Sequence, residues 1–228
     1  MYILSSVFTT LCAVVLPITV TVILCVKNKK IWLPILMGTL TFVVFQVLIR
    51  IPIIQALLPQ TAWYIAMQNT QPIIYALFLG STAALFEEGG RFLVMSLFLK
   101  KHRDTLDGIA FGVGHGGIEA ILLAGINAII MLLSPTELAT SSLIFASGVE
   151  RLSAMTMQIA FSVLVMKSVR EKKWSYLLIA FLLHTLIDFG AVLAVSSLGI
   201  WPLEIVMLFV AAIMAWFVVK EYKKKTEI

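Results

Sequence analysis

The stretch FLGSTAALFEEGGRFLVMSLFL, residues 78–99, is long enough to cross a bilayer as a helix, yet its centre is charged. Glu87, Glu88 and Arg91 stand there, with two glycines between the glutamates and the arginine. A charge at the bilayer centre costs about 2.5–3.5 kcal/mol on insertion scales. We therefore expect these side chains to face partners inside a helix bundle rather than lipid.

The composition of the whole chain is that of a membrane protein. Of its 228 residues, 61% are hydrophobic and 13% are charged, and the mean hydropathy is +1.03. Soluble domains carry about 25% charged residues. We predict an all-α polytopic fold with a single transmembrane domain over residues 1–228, embedded in the lipid bilayer. The net charge of +5 comes from basic residues that flank apolar runs, so nucleic acid is not an expected partner.

Hydropathy predicts seven membrane spans. They cover residues 3–26, 31–49, 72–99, 105–133, 141–166, 175–197 and 200–219. Between the second and third spans, residues 50–70 contain two prolines and a polar end, which is typical of a short interfacial segment. We expect the catalytic core helices to lie within residues 72–197.

The basic residues predict the orientation of the chain. They concentrate in four clusters, at residues 27–30, 100–103, 167–173 and 220–225. Seven spans place all four clusters on one side of the membrane, which the positive-inside rule makes cytoplasmic. We expect the N-terminus outside and the C-terminus in the cytoplasm.

Ionisable residues accumulate in spans 3 to 6, whereas spans 1, 2 and 7 are expected to carry none at depth. The set comprises Glu87, Glu88, Arg91, His115, Glu119, Glu150, Arg151, His184 and Asp188. Five carboxylates meet two arginines, so we expect a protonated carboxyl, a cationic histidine or a bound metal. The adjacent Glu150 and Arg151 are interpreted as a supporting ion pair.

Helix geometry places three of these residues at a common depth. Glu88, His115 and His184 lie 11 or 12 residues from the basic cluster at the predicted cytoplasmic end of their helices. At a rise of about 1.5 Å per residue, this corresponds to about 16–18 Å. Glu119 and Asp188 each follow a histidine by four residues, so each can orient that imidazole from the same helix face.

Glycines surround the charged residues in EEGGR (87–91) and GVGHGG (112–117). Glycine in a helix interior costs about 1 kcal/mol relative to alanine. In membranes, small residues permit close helix approach. The alternative is that the glycines leave room for water or an extended peptide, and both interpretations remain open at this stage.

Three motifs together resemble a known family. EEGGRF (87–92), FGVGHGGIEA (111–120) and HTLIDFGA (184–191) closely resemble the YhfC-type intramembrane proteases of bacteria. That group is similar, more distantly, to the PrsW proteases and to the CAAX-protease and bacteriocin-processing family. The resemblance covers most of the chain and implies a multi-pass protein of a bacterial cell membrane.

The resemblance implies an intramembrane peptidase that hydrolyses a peptide bond in or near the membrane. Its implied catalytic residues are Glu87, Glu88, His115 and His184, and its supporting residues are Arg91, Glu119, Asp188, Glu150 and Arg151. Glu87 and His115 would activate a water, and His184, oriented by Asp188, would polarise the scissile carbonyl. The implied substrate is a membrane protein or a lipopeptide.

A metal-dependent version of this chemistry stays open. Zinc could be held by Glu87 or Glu88 together with His115 and His184, leaving a position for water. However, the HExxH motif of many zinc proteases is absent from the sequence. On the glutamate-type mechanism no cofactor is needed.

Two other functions use the same residue types. Intramembrane glutamate, histidine and aspartate also form the proton relays of ion-coupled transporters. A non-catalytic membrane scaffold could retain a polar core as well. No inverted repeat of the transporter kind is visible in the sequence, which favours the peptidase.

Overall fold

The computed structural model describes residues 1–134 and 140–224, and these ranges are helical without any β-strand. The helices are α1 (Tyr2–Lys27), α2 (Lys29–Gln60), α3 (Ala62–Thr70), α4 (Pro72–Phe98), α5 (Thr105–Leu133), α6 (Ser141–Glu171), α7 (Trp174–Leu198) and α8 (Ile200–Lys223). The predicted all-α fold is confirmed.

Six of the described helices, namely α1, α2, α5, α6, α7 and α8, are long and apolar enough to cross a membrane. The remaining predicted span is α4, which is 27 residues long and carries Glu87, Glu88 and Arg91 in its second half. These charges lower the mean hydropathy of α4, and it is not among the six helices. The count of seven spans and the orientation of the termini therefore stay predictions. The structure is that of a multi-pass membrane protein.

Helix α2 extends further than the sequence predicted. It continues past residue 49 to Gln60, through widened π-helical turns at Val43–Arg50 and Ile53–Leu57. Pro52 lacks a backbone N–H and leaves a carbonyl of the preceding turn without its usual partner. Widened turns accommodate such a defect without ending the helix. The predicted interfacial segment is therefore helical, and it ends in the short helix α3.

Helix α6 is the central element of the bundle. In its most apolar stretch 72% of the residues are buried, compared with 17–39% in the other five apolar helices. It packs against α5 along one side and against α1, α7 and α8 elsewhere. The outward faces of the surrounding helices expose large apolar side chains such as Leu85, Phe98 and Phe209, as expected of surfaces in contact with lipid.

Glycines bring α5 into close contact with its neighbours. A Cβ atom at Gly112 would overlap the backbone of Ile159 in α6, and one at Gly114 would overlap the carbonyl oxygen of Ile35 in α2. The packing interpretation is therefore right for the glycines beside His115, and the expectation that they leave open space is wrong there. Gly89 differs, because a Cβ atom there would meet nothing within 4 Å.

This difference yields a matched pair of substitutions. Gly114→Ala should force α2 and α5 apart and lower the stability by about 1–3 kcal/mol, the usual cost of overpacking. Gly89→Ala should leave stability unchanged or raise it by up to about 1 kcal/mol, because alanine is the better helix former. Thermal unfolding of both variants in one detergent checks this, and equal melting temperatures would contradict the packing described.

Candidate functional site

Glu87 is the centre of a buried hydrogen-bond network contributed by four helices. Its Oε2 accepts from Arg91 Nη2, Gln158 Nε2 and His115 Nε2, each at 3.0 Å. Its Oε1 accepts from Gln46 Nε2 at 2.5 Å. The donors come from α4 itself, α6, α5 and α2, so one carboxylate joins four elements of the bundle.

Glu88 points to a different neighbour, as the angle of about 100° between adjacent helix positions requires. Its Oε1 accepts from Arg91 and from His184 Nδ1, the latter at 2.7 Å. Its Oε2 is buried and has no hydrogen-bond partner among the described residues. His184 Nε2 lies 3.6 Å from Asp188 Oδ2 one turn further along α7, and its ring stacks on Phe161.

Arg91 makes the pair of adjacent buried glutamates possible. Its guanidinium is fully buried and contacts both Glu87 and Glu88. It also donates to Gln158 Oε1 from the central helix. A buried carboxylate without such a partner would carry a large desolvation penalty.

A second cluster lies beside the first and is joined to it by Gln158. Arg151 Nη1 donates to Glu119 Oε1 at 3.1 Å, and the same guanidinium contacts the carboxylate of Glu150. Gln158 Nε2 donates to Glu119 Oε2 at 2.5 Å as well as to Glu87. The sequence placed Glu119 as a support of His115. Its hydrogen bonds go to Arg151 and Gln158 instead, so any support it gives to His115 is indirect.

A polar cavity of about 220 Å³ opens between α6, α7 and α8. Its charged and imidazole lining comprises Glu87, Glu119, Glu150, Arg151, His184, Asp188 and Glu204. His115 is fully buried behind Glu87 and does not line this cavity. Of the two adjacent glutamates, Glu87 therefore faces the cavity.

The structure brings together all nine predicted site residues, in the two clusters joined by Gln158. Glu88 contacts His184 and its neighbour Glu87 contacts His115, so these residues of three helices lie side by side, while their common depth in the membrane stays a prediction. Their roles in chemistry are not settled by these contacts and stay predictions.

Sequence reasoning missed three residues of the site. Gln46 and Gln158 carry no formal charge, so a search for ionisable residues passed over them, although an amide inside a span is itself a signal. The expectation that span 7 carries no ionisable group at depth is wrong. Glu204 in α8 is 1% exposed and lines the cavity. It stands near the start of its helix, where a glutamate is usually solvated.

One group of described residues has the arrangement of a metal site. Donor atoms of Glu87, His115 and Glu119 lie within 4.8 Å of one another. Imidazole and carboxylate are suitable ligands for zinc, with bonds of about 2.0–2.2 Å. The three donor atoms would need to move somewhat closer together to bind one ion. The Nδ1 atom of His115 is also buried without a hydrogen-bond partner among the described residues. The donor set fits a divalent metal, but it contains Glu119 in place of the His184 that the sequence suggested.

The fold and the site define a multi-pass membrane protein whose helices enclose clustered glutamates and histidines. The chain belongs to the YhfC family. Residues 12–143 and 130–213 match the family described as YhfC intramembrane metalloprotease. The chain is also 33% identical over 213 residues to the "Uncharacterized membrane protein YhfC" of Bacillus subtilis (strain 168), covering 80% of this chain and 82% of that protein.

No solved structure matches the chain significantly. The resemblance inferred from the three motifs is thus confirmed at the level of the YhfC family and of a bacterial membrane protein. The more distant similarity to the PrsW and CAAX-protease families stays a prediction.

The pairing of buried charges predicts a large effect of removing one cation. Arg91→Met should destabilise the folded protein by about 3–5 kcal/mol, because two carboxylates lose their buried partner. Arg170→Met removes an arginine that is one-third exposed, lies 3.9 Å from Glu171 and donates long hydrogen bonds to Arg103 O and Thr105 Oγ1, and it should cost no more than about 1–2 kcal/mol. Unfolding of both variants in detergent measures the difference, and a tolerated Arg91→Met would refute the role assigned to this arginine.

Proposed function

We propose that the protein is an intramembrane endopeptidase in which Glu87 acts as the general base on a water molecule in the polar cavity. The observation that carries the proposal is the position of this carboxylate. It lines a buried polar cavity together with His184 and Asp188, and donors from four helices hold it in place. The description of the YhfC family as an intramembrane metalloprotease supports the same class of reaction.

Glu87 is preferred over Glu88 as the base because the two face different surroundings. Glu87 lines the polar cavity, where a water can reach it. Glu88 lines an apolar groove on the other side of α4 and is held by Arg91 and His184. The Glu87 carboxylate accepts hydrogen bonds from Arg91, Gln46, Gln158 and His115, which hold it in one orientation, and a carboxylate is the form that accepts a proton from water. His115 contacts the base rather than the cavity, so we assign it a positioning role.

His184 is the candidate for binding the carbonyl oxygen of the scissile bond. Its Nδ1 faces Glu88, and because a carboxylate accepts hydrogen bonds, Nδ1 carries a hydrogen. Its Nε2 lies on the side of Asp188, which can stabilise a second hydrogen there. A donor fixed in a buried cavity stabilises the negative charge that develops on the carbonyl oxygen during hydrolysis.

The second cluster is proposed to hold the charge balance of the cavity. The positive charge of Arg151 offsets the negative charges of Glu119 and Glu150. Gln158 donates hydrogen bonds to both Glu119 and Glu87 and so fixes the two carboxylates relative to each other. These residues support the site and are not assigned a direct step in the reaction.

A divalent metal such as zinc, bound by Glu87, His115 and Glu119, would supply Lewis acidity that polarises the scissile carbonyl. In that form of the enzyme these three residues are ligands, and His184 with Asp188 remains the pair that faces the substrate. The family description favours this form, and the donor set described above fits it.

The proposed substrate is a membrane protein or a lipopeptide. The site lies inside the helix bundle. Its polar side chains come from α2 and from each of the helices α4 to α8. A peptide must therefore enter between helices or from the membrane surface to reach Glu87. We propose helices within residues 72–197 as the catalytic core.

Glu87→Gln keeps the size of the side chain and removes the base. Cleavage of a labelled transmembrane or lipopeptide substrate by the purified protein should fall by roughly 10²–10⁴-fold, the usual contribution of general-base catalysis. The matched control is Glu171→Gln, because this glutamate lies at the end of α6 outside the site. Membrane insertion should be normal in both variants. Full activity of Glu87→Gln with normal insertion would sink the assignment.

Metal content separates the two proposed versions of the site. On the metal version, purified wild-type protein should bind zinc stoichiometrically, chelation should abolish cleavage, and added zinc should restore it. Glu119→Gln and His115→Ala should lose zinc as measured by elemental analysis, whereas Glu88→Gln and His184→Asn should retain it. Cleavage that persists after exhaustive chelation would establish the glutamate-type mechanism instead, and zinc lost from His184→Asn would favour the ligand set suggested by the sequence.

A further inference from the structure

A basic pocket lies at the end of the bundle where α6 ends and α7 begins. Its volume is about 270 Å³, and its polar lining includes Arg103, Lys172 and Lys173. Trp174 and Phe92 form an aromatic wall, with ring centroids 4.8 Å apart. None of these residues belongs to the site described above.

Two of the cations in this pocket are available for an anion. The Nε atom of Arg103 is buried and has no hydrogen-bond partner among the described residues. Lys172 is exposed at the end of α6, and its ammonium forms no ion pair among the described residues. Its backbone adopts a left-handed conformation, with φ of 55°. Glycine is the residue that favours this conformation, yet a lysine occupies it. Lys173 is less available, because its Nζ lies 3.5 Å from a carboxylate oxygen of Glu171.

An apolar groove between α4 and α7 begins where the basic pocket ends. Its volume is about 450 Å³, and Leu85, Leu178 and Phe181 are among the side chains that line it. Trp174 lines both the pocket and the groove, so the two adjoin at this indole ring. The inner part of the groove is bordered by Gly89, whose missing side chain leaves open space, and by Glu88.

We propose that the pocket and groove together bind one anionic phospholipid. The phosphate-bearing headgroup lies in the basic pocket against Arg103 and Lys172, and an acyl chain lies in the groove between α4 and α7. A cationic pocket that adjoins an apolar groove matches the charged headgroup and the acyl chain of an anionic lipid. Basic pockets between transmembrane helices on the cytoplasmic side are known to suit such headgroups, and this end of the bundle carries the predicted cytoplasmic clusters.

The binding site is independent of the proposed peptidase activity, but it bears on access to the site. An acyl chain in the groove covers the approach to Glu88 from the bilayer between α4 and α7. A substrate that enters by this route must displace the lipid, whereas one that enters elsewhere need not.

Fluorescence quenching of Trp174 tests the proposal directly. The full chain is reconstituted into phosphatidylcholine vesicles that contain phosphatidylglycerol, with bromine on the acyl chains of one lipid or of the other. The signal of Trp174 is the difference between the wild-type protein and Trp174→Phe, which keeps an aromatic ring beside Phe92. At equal bromine content, brominated phosphatidylglycerol should quench Trp174 more strongly than brominated phosphatidylcholine.

Two substitutions and one control connect the preference to the pocket. Arg103→Gln and Lys172→Gly should each reduce the preference for phosphatidylglycerol, and the double variant should abolish it. Lys172→Gly removes the charge while providing the residue that the backbone conformation favours, so a loss is not explained by misfolding. Lys101→Gln also removes one positive charge. Lys101 lies in the same loop as Arg103 but does not line the pocket, so this variant should keep the preference.

Three outcomes would overturn the proposal. Equal quenching by the two lipids would mean that Trp174 meets only bulk lipid. A preference that survives in the double variant, or is lost equally in Lys101→Gln, would mean that diffuse surface charge attracts the anionic lipid. Saturable binding of inorganic phosphate that is lost in the double variant, without any preference for phosphatidylglycerol, would assign the pocket to free phosphate.

Discussion

The buried guanidinium of Arg91 is the interaction on which the rest of the site depends. It lies between two adjacent carboxylates and offsets their negative charge inside the bundle. Its third contact, to Gln158, links α4 to the central helix α6. Through the two glutamates the same charge balance extends to His115 in α5 and His184 in α7. The polar network therefore fixes how the helices are rotated against one another, which the apolar contacts alone would leave less defined.

Close helix packing and the polar network depend on each other. His115 reaches Glu87 because glycines on either side of it let α5 approach α2 and α6 backbone to backbone. Larger residues at these positions would separate the helices and lengthen the contact between imidazole and carboxylate. The π-helical stretch Val43–Arg50 in α2 contributes in a similar way, since it contains Gln46, the donor to the other oxygen of Glu87. Packing in this part of the bundle thus has a direct effect on the geometry of the site.

The sequence was sufficient to predict most of the long helices and the charged residues that meet between them, but not the rotation of these residues about each helix axis. Residue counts from a basic cluster give depth, because the helix rise is constant. Which side of its helix a residue presents to a neighbour depends on packing that no single sequence displays. For this reason the predicted metal ligands included His184, whereas the group that the structure brings within 4.8 Å contains Glu119. Gln46 and Gln158 were missed because they carry no charge, and Glu204 was missed because it stands near a helix end.

The neighbouring glutamates Glu87 and Glu88 face two different environments in the helix bundle. Adjacent positions on a helix differ by about 100°, so one carboxylate faces the polar cavity and the other borders the apolar groove. The lining of the cavity carries seven charged or imidazole side chains, whereas the lining of the groove is apolar apart from Glu88 and Ser175. On the proposed function, the water molecule and the scissile carbonyl meet in the cavity, because Glu87 and His184 both line it. Arg91, bound to both glutamates, holds the carboxylate of Glu87 at the cavity while that of Glu88 borders the groove.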